Sequence, residues 1–322
     1  MTRKKRIDKE TGKNFCYNKI EGENMKVICV GHSTFDTTLP MSEYPTENVK
    51  YRIPKHIECG GGPASNGAYL MAKWGMDVAI ASIVGNDYYG KKVEEDFKNI
   101  GADTTYLEKK EGHDTTSSFI IANMSNGSRT IITSKKPPIR KLQQEIKEKA
   151  DVILIDGEHP ETALEVLDNN PDAISVIDAS RLNDDTKLLG KKVKYLVCSH
   201  EFAEDFSGLK TSDLNIAELT EIHKKLEDYF QNNVIITLEA NGSFTKINGE
   251  YKIIPSIKVK ALDSTGAGDI FHGAFTYFVA NNYPLEEAIH YASIAGAISV
   301  TRIGSRFSIP NLYEVIDYDK AI

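Results

Sequence analysis

Six short runs rich in valine and isoleucine recur along this chain of 322 residues, with longer amphipathic stretches between them. They are KVICVG around Val27, DVAIASIVG around Val78, DVILIDG at 151–157, AISVIDA around Val176, KYLVCS around Val197 and NVIITL around Val234. Several are apolar at consecutive rather than alternate positions, so both faces of the strand need cover, as in a parallel sheet with helices on each side. The spacers supply those helices at 63–74, 88–100, 139–149, 161–169, 213–231, 268–281 and 285–302. This alternation predicts a doubly wound α/β fold, with a mainly parallel sheet flanked by helices.

Two stretches break the rhythm. Segment 33–60 is short-stranded and contains proline and tyrosine, while TTSSFIIANMSNGSRTIIT at 115–133 alternates apolar and polar residues around Asn126-Gly127, a two-residue hairpin signal. The lid segments, about 33–60 and 112–133, are read as a small antiparallel appendage. Another hairpin is predicted in FTKINGEYKII, turning at Asn248-Gly249. No repeat, low-complexity tract or linker divides residues 25–322, which read as one domain. Residues 1–24 read as a flexible extension ahead of the strand that opens after Met25.

A formal charge of −7, with lysines and acids interspersed, offers no basic footprint for nucleic acid. No apolar run approaches the roughly 20 residues that span a bilayer, and the first 24 residues lack the apolar core of a secretory signal. Cys16, Cys29, Cys59 and Cys198 are scattered without zinc or disulfide spacing. These features predict a cytoplasmic protein that acts on small molecules. His32, His159, His200 and His272 show no metal spacing, and Trp74 is expected at a helix–sheet contact.

Chemistry concentrates in KALDSTGAGDIFHGAF at 260–275. Ile270, Phe271, Ala274, Phe275 and Phe278 make an apolar helical face, which places Gly266, Ala267, Gly268 and Asp269 at a helix N-terminus. Amides there lack intrahelical partners and the helix dipole is positive, so a glycine-lined approach suits phosphate oxygens. Asp269 could instead be only a favourable first-turn charge, worth about 0.3–1 kcal/mol. Walker-type loops are absent, and Phe271 stands where a dinucleotide fingerprint needs its third glycine.

A second cluster, ECGGGPASNGAYLMAKWG, again puts glycines before a helix opened by Pro63, and its amides are expected to be exposed. Asn66 in the first turn can both donate and accept, which suits a polyhydroxylated ligand; a tight turn with close helix packing is the competing reading. Asp36 follows the strand KVICVG, near the strand end where ligands of open α/β sheets lie.

Taken together, GGGPASN, DSTGAGDIFHGAF and the tail AGAISVTRIGSRFSIP resemble the ribokinase-like (PfkB) carbohydrate kinase family over about Met25 to Pro310. VGHSTFDTTLPMSEYPTE and SSFIIANMSNGSRTI look most like ketohexokinases and related bacterial fructose-derivative kinases. The resemblance implies an ATP-dependent sugar kinase using Mg²⁺, with K⁺ as a monovalent cation. A fructose-like ketose or ribose is the implied acceptor. Asp269 would be the general base, and Gly266, Ala267 and Gly268 the anion hole. Asp36, Gly61, Gly62 and Asn66 would hold the sugar. Thr237, Gly242 and Ser199 would lie in the nucleotide region, and Asp263, Ser299, Gly304 and Ser308 around the monovalent cation.

Two positions depart from the family pattern. Glu239 stands where many members have glycine, and Ser199-His-Glu-Phe202 replaces an Asn-x-x-Glu that organises Mg²⁺, leaving Glu201 as a weak substitute. A nucleoside kinase of the same superfamily and a non-catalytic sugar- or nucleotide-binding regulator remain as alternatives. The lid is expected to cover the sugar and to pair in a homodimer. Arg129 on the hairpin reads as a solvated strand residue.

Overall fold

The computed structural model describes residues 2–7, 14–19, 25–134, 137–211 and 214–321. Its main sheet has nine strands in the order β15 (Glu250–Ile254), β14 (Ser243–Ile247), β13 (Asn233–Thr237), β12 (Tyr195–Ser199), β11 (Ile174–Ala179), β10 (Val152–Ile155), β3 (Lys26–Val30), β6 (Asp77–Gly85), β7 (Leu107–Lys110). The pairing is parallel from β7 to β13, and the last two strands run antiparallel. The chain first builds outward from β3 to β6 and β7, then returns to β10 on the other side of β3. The resulting switch point lies between β3 and β10, where open α/β sheets gather their ligands.

The consecutive apolar runs divide as expected of strands covered on both faces. Val27, Cys29, Val78, Ile80, Leu154 and Val176 join one core with helices α1 (Pro63–Lys73), α7 (Ala267–Ala280) and α8 (Leu285–Ser299). Their neighbours Ile28, Val30, Ala79, Ala81, Ile153 and Ile177 join the other, with α3 (Pro160–Asn169), α5 (His200–Ser207) and α6 (Ile216–Phe230). Each fully buried valine or isoleucine contributes about 1.5–3 kcal/mol. Helices α2 (Tyr88–Asn99), α4 (Asp184–Gly190) and α9 (Leu312–Asp319) complete the set among the described residues. None of the helices there is long and apolar enough to cross a membrane.

The lid is a separate four-stranded sheet in the order β5 (Ile57–Gly61), β4 (Thr34–Met41), β8 (Ser117–Asn123), β9 (Ser128–Ser134). It is mixed rather than antiparallel, because β4 and β8 run parallel. Its hairpin pairs Asn123 with Ser128, so four residues rather than two make the turn, closed by the Gly127 amide on the Asn123 carbonyl at 2.8 Å. The Asn248-Gly249 turn is the two-residue type, with φ 52° and 87° at its two positions. β1 (Thr2–Ile7) pairs with β2 (Asn14–Lys19) in a two-stranded ladder. The rest of the expected extension lies outside the described residues.

The helix expected at 139–149 does not form. Leu142, Ile146 and Ala150 are buried at helical spacing, but the backbone amides find partners on other elements. Leu142 donates to Thr162 Oγ1, Gln144 to Glu108 Oε1 and Ala150 to Asn170 Oδ1. Trp74 is buried in the core that the sheet shares with α7, its ring against Tyr277 and Phe278 and its indole nitrogen donating to the Pro310 carbonyl at 2.9 Å.

Candidate active site

Helix α7 opens at Gly266, whose φ of 76° is a left-handed conformation that glycine adopts without a Cβ clash. No side chain caps this end. Ala267 makes only a long amide contact, 3.4 Å to the Ser264 carbonyl, and among the described residues no group accepts from the amides of Gly268 and Asp269. A side chain built on Gly268 would meet nothing within 4 Å. The turn is therefore an open, positively polarised cradle.

Asp269 sits beside this cradle, and its Oδ2 accepts a 2.7 Å hydrogen bond from Asn66 Nδ2. The two residues, 203 positions apart, meet because α1 and α7 touch backbone to backbone: a Cβ on Gly273 would come within 2.7 Å of the Gly67 Cα. Asn66 is 1% exposed and its Oδ1 has no hydrogen-bond partner. That buried acceptor faces the site without a donor.

Asp36 is supplied by lid strand β4. Its Oδ1 accepts from the Thr34 hydroxyl at 2.9 Å, and Ser118 of β8 adds a second hydroxyl. Burial pushes its carboxyl up to about 6, the Thr34 bond opposes this, and the charge of Asp269 pushes further. Gly61 makes room for it, since a Cβ there would lie 2.0 Å from Asp36 Oδ2.

In the second glycine cluster, the amides expected to be exposed are partly tied up within the fold. Gly62 is the N-cap of α1, with φ 99°, but the Ala64 amide is taken by Asp156 Oδ2 at 3.0 Å and the Asn66 amide by the Gly62 carbonyl at 2.7 Å. Asp156, at the end of β10, also accepts from the amides of His32 and Glu158. Burial raises its carboxyl to about 7 against those three donors. The Ala64 amide at the start of α1 is thus tied up inside the fold, while the first amides of α7 are left open.

The expected cation residues surround a second buried carboxylate. Asp263 is 2% exposed; its Oδ1 accepts from the Thr265 amide and hydroxyl and its Oδ2 from the Gly304 amide at 2.9 Å. Ser299 and Ser308 donate their hydroxyls to the carbonyls of Gly296 and Ser305, which leaves oxygen lone pairs for a ligand. Among the described residues Asp263 has no ion-pair partner.

Of the expected nucleotide residues, Thr237 ends β13 and donates to the Cys198 carbonyl at 3.3 Å. Gly242, with φ 103°, lies where a side chain would overlap the Ile254 carbonyl. Ser199 is committed to capping α5 through the Phe202 amide at 3.0 Å. Glu239 adopts φ 53°, which explains the family's glycine there. Glu201 is exposed in the first turn of α5.

The lid touches the loop before α7. The Ser264 amide donates to the Gly127 carbonyl at 3.1 Å and Arg129 Nη1 donates to Ser264 Oγ at 2.8 Å, so Arg129 is anchored rather than merely solvated. Three features lie within the quoted stretches but carry no role there: Thr34 and Ser118 beside Asp36, Arg306, and a buried Asp178–His272 pair. Arg306 donates to Ser65 Oγ at 2.7 Å and Asp96 Oδ2 at 3.1 Å. Asp178 and His272 lie 3.2 Å apart.

Comparison with known proteins matches residues 24–312 to the model of the pfkB family carbohydrate kinases. A ribokinase of Haemophilus influenzae is 28% identical over 272 residues, covering 80% of this chain and 86% of its own. The crystal structure of a ribokinase from Thermotoga maritima superposes with a TM-score of 0.74 at 26% identity, covering 92% of this chain and 99% of the other. An Arabidopsis thaliana ribokinase complexed with ribose and ATP gives 0.75 at 20% identity, covering 91% and 98%. These relatives are named for ribose and do not carry the likeness to ketohexokinases read from the motifs.

Proposed function

We propose a function from one premise: the chain belongs to the pfkB family of carbohydrate kinases. The reaction is transfer of the γ-phosphoryl group of ATP to a hydroxyl of a small sugar, with a ribose-type pentose as acceptor. The observation that carries this reading is the 2.7 Å contact between Asn66 and Asp269, which joins a hydroxyl-binding amide to a carboxylate beside an open helix N-terminus.

In this reading Asp36, Asn66 and the backbone at Gly61 and Gly62 grip the sugar. Asn66 Oδ1 gains the donor it lacks, and the target hydroxyl comes within reach of Asp269. Asp269 takes that proton as the oxygen attacks, within the 10²–10⁴-fold range usual for a positioned base. The amides of Gly268 and Asp269 receive the charge spread over the transferring group, with Gly266 and Ala267 shaping the turn. Thr237, Gly242 and Ser199 border the nucleotide. Lid strands β4, β5, β8 and β9 exclude water that would compete as acceptor.

The Mg²⁺ that accompanies the nucleotide would supply positive charge to the transferring phosphoryl group. Glu201, the exposed acid in the first turn of α5, would be a weak substitute for the missing Asn-x-x-Glu in holding it. Asp263, buried and without an ion-pair partner among the described residues, fits a monovalent cation such as K⁺, with Ser299, Gly304 and Ser308 around it. The name ribokinase among the relatives, and the ribose and ATP of one solved neighbour, favour ribose over a ketose.

The test is ADP release with Mg-ATP over ribose, deoxyribose, fructose and adenosine, with and without potassium. Release dependent on a pentose supports the proposal. Release only with adenosine moves the assignment to a nucleoside kinase, and none with any acceptor leaves a binding protein.

A further inference from the structure

Behind the first turn of α7, on its sheet-facing side, His272 and Asp178 meet away from solvent at 5% and 4% exposure. His272 Nδ1 lies 2.6 Å from the Gly268 carbonyl and 3.2 Å from Asp178 Oδ2. Its Nε2 lies 3.2 Å from the Val197 carbonyl on β12. Carbonyl and carboxylate oxygens accept and do not donate, whereas a neutral imidazole has only one N–H. Both ring nitrogens therefore face groups that need a proton from them.

We propose that His272, protonated on both ring nitrogens, and ionised Asp178 form a positioning pair for phosphoryl transfer. The pair pins Gly268, and with it the open amides of α7, to the ends of β11 and β12, and it sets a positive charge behind the phosphate cradle. The helix AGDIFHGAFTYFVA contains no lysine or arginine, so His272 is the sole basic side chain it can place there. Such a charge has work to do. Asp269 already shares the site with Asp36 and Asp178, each of which feels its charge, and a nucleotide adds more negative charge. The titratable group facing the ring is Asp178 from β11, with Asp269 one step beyond it; β12 contributes only a carbonyl.

This inference rests on the kinase reading, and the experiment separates the two. In full-length protein labelled with ¹⁵N-histidine, long-range proton–nitrogen spectra near neutral pH should show two protonated nitrogens for His272, assigned by loss of the signal in His272→Gln. Asp178→Asn keeps an acceptor oxygen without the charge and should leave one proton on the ring. With the best acceptor, kcat should fall roughly 10- to 100-fold in both variants, as for a misplaced reacting geometry. The sugar KM should move by less than about twofold, a split a merely structural strut would not produce. One protonated nitrogen in the wild type overturns the proposal, as does wild-type kcat in folded Asp178→Asn. If the wild type phosphorylates no sugar, the kinase reading fails, and the wild-type spectrum still decides whether the charged pair exists.

Discussion

Asp36 and Asp269 differ in what their environments ask of them. The folded-state pKa of Asp36 is raised from 3.8 to about 6. Its contribution to stability is therefore fully present below about pH 4 and is lost as pH rises through about 6. Asp36→Asn removes a buried charge whose shift of about two pH units corresponds to about 3 kcal/mol. Chemical denaturation at pH 8 should find the sugar-free variant more stable than wild type, with the difference shrinking at pH 4, while its sugar KM rises. Equal stability at pH 8 would show the carboxylate is not strained. Asp269→Asn should leave folding and sugar affinity intact and lower kcat roughly 10²- to 10⁴-fold; near-normal turnover removes it from the mechanism. Both carboxylates were legible because each sits in a local pattern of glycine and strand end. Asp178 was not, because its meaning depends on a histidine 94 positions away that only the packing of α7 on β11 brings within 3.2 Å.

At the scale of elements, the site depends on how closely α1 approaches α7. Gly273→Ala would put a methyl group 2.7 Å from the Gly67 Cα. Overpacking of this kind costs about 1–3 kcal/mol, and the helices must separate to relieve it. Urea denaturation should register that loss, and kcat should fall because Asn66 withdraws from Asp269; an unchanged kcat would mean the contact is not needed. The strands were readable from consecutive apolar residues because each run serves two cores. The stretch 139–149 has helical spacing yet no helix, since Thr162 and Glu108 offer its amides partners from outside, as Asn170 does for the next residue, Ala150. Periodicity reports which side chains are buried, not where backbone donors go. The same limit applies to the second glycine cluster, where the amides of Ala64 and Gly60 are claimed by Asp156 and Asp96, residues distant in sequence.

For the whole molecule, the lid leaves an apolar outer face. Phe119 and Ile132 stand opposite one another across β8 and β9, 47% and 58% exposed, and among the described residues no strand pairs with the outer edge of β9. Exposed strand edges with apolar side chains invite pairing, so the proposed homodimer joins two lids. Sedimentation at micromolar protein should show a dimer that Ile132→Lys converts to monomer; a monomeric wild type would dispose of the idea. The lid also reaches inward, where the Gly127 carbonyl and Arg129 hold Ser264, two residues ahead of the turn at Gly266. On the proposed mechanism, a lid that swings away for a fresh acceptor would let go of the peptide ahead of the phosphate berth, and sugar exchange and readiness for transfer would then be geared to one part.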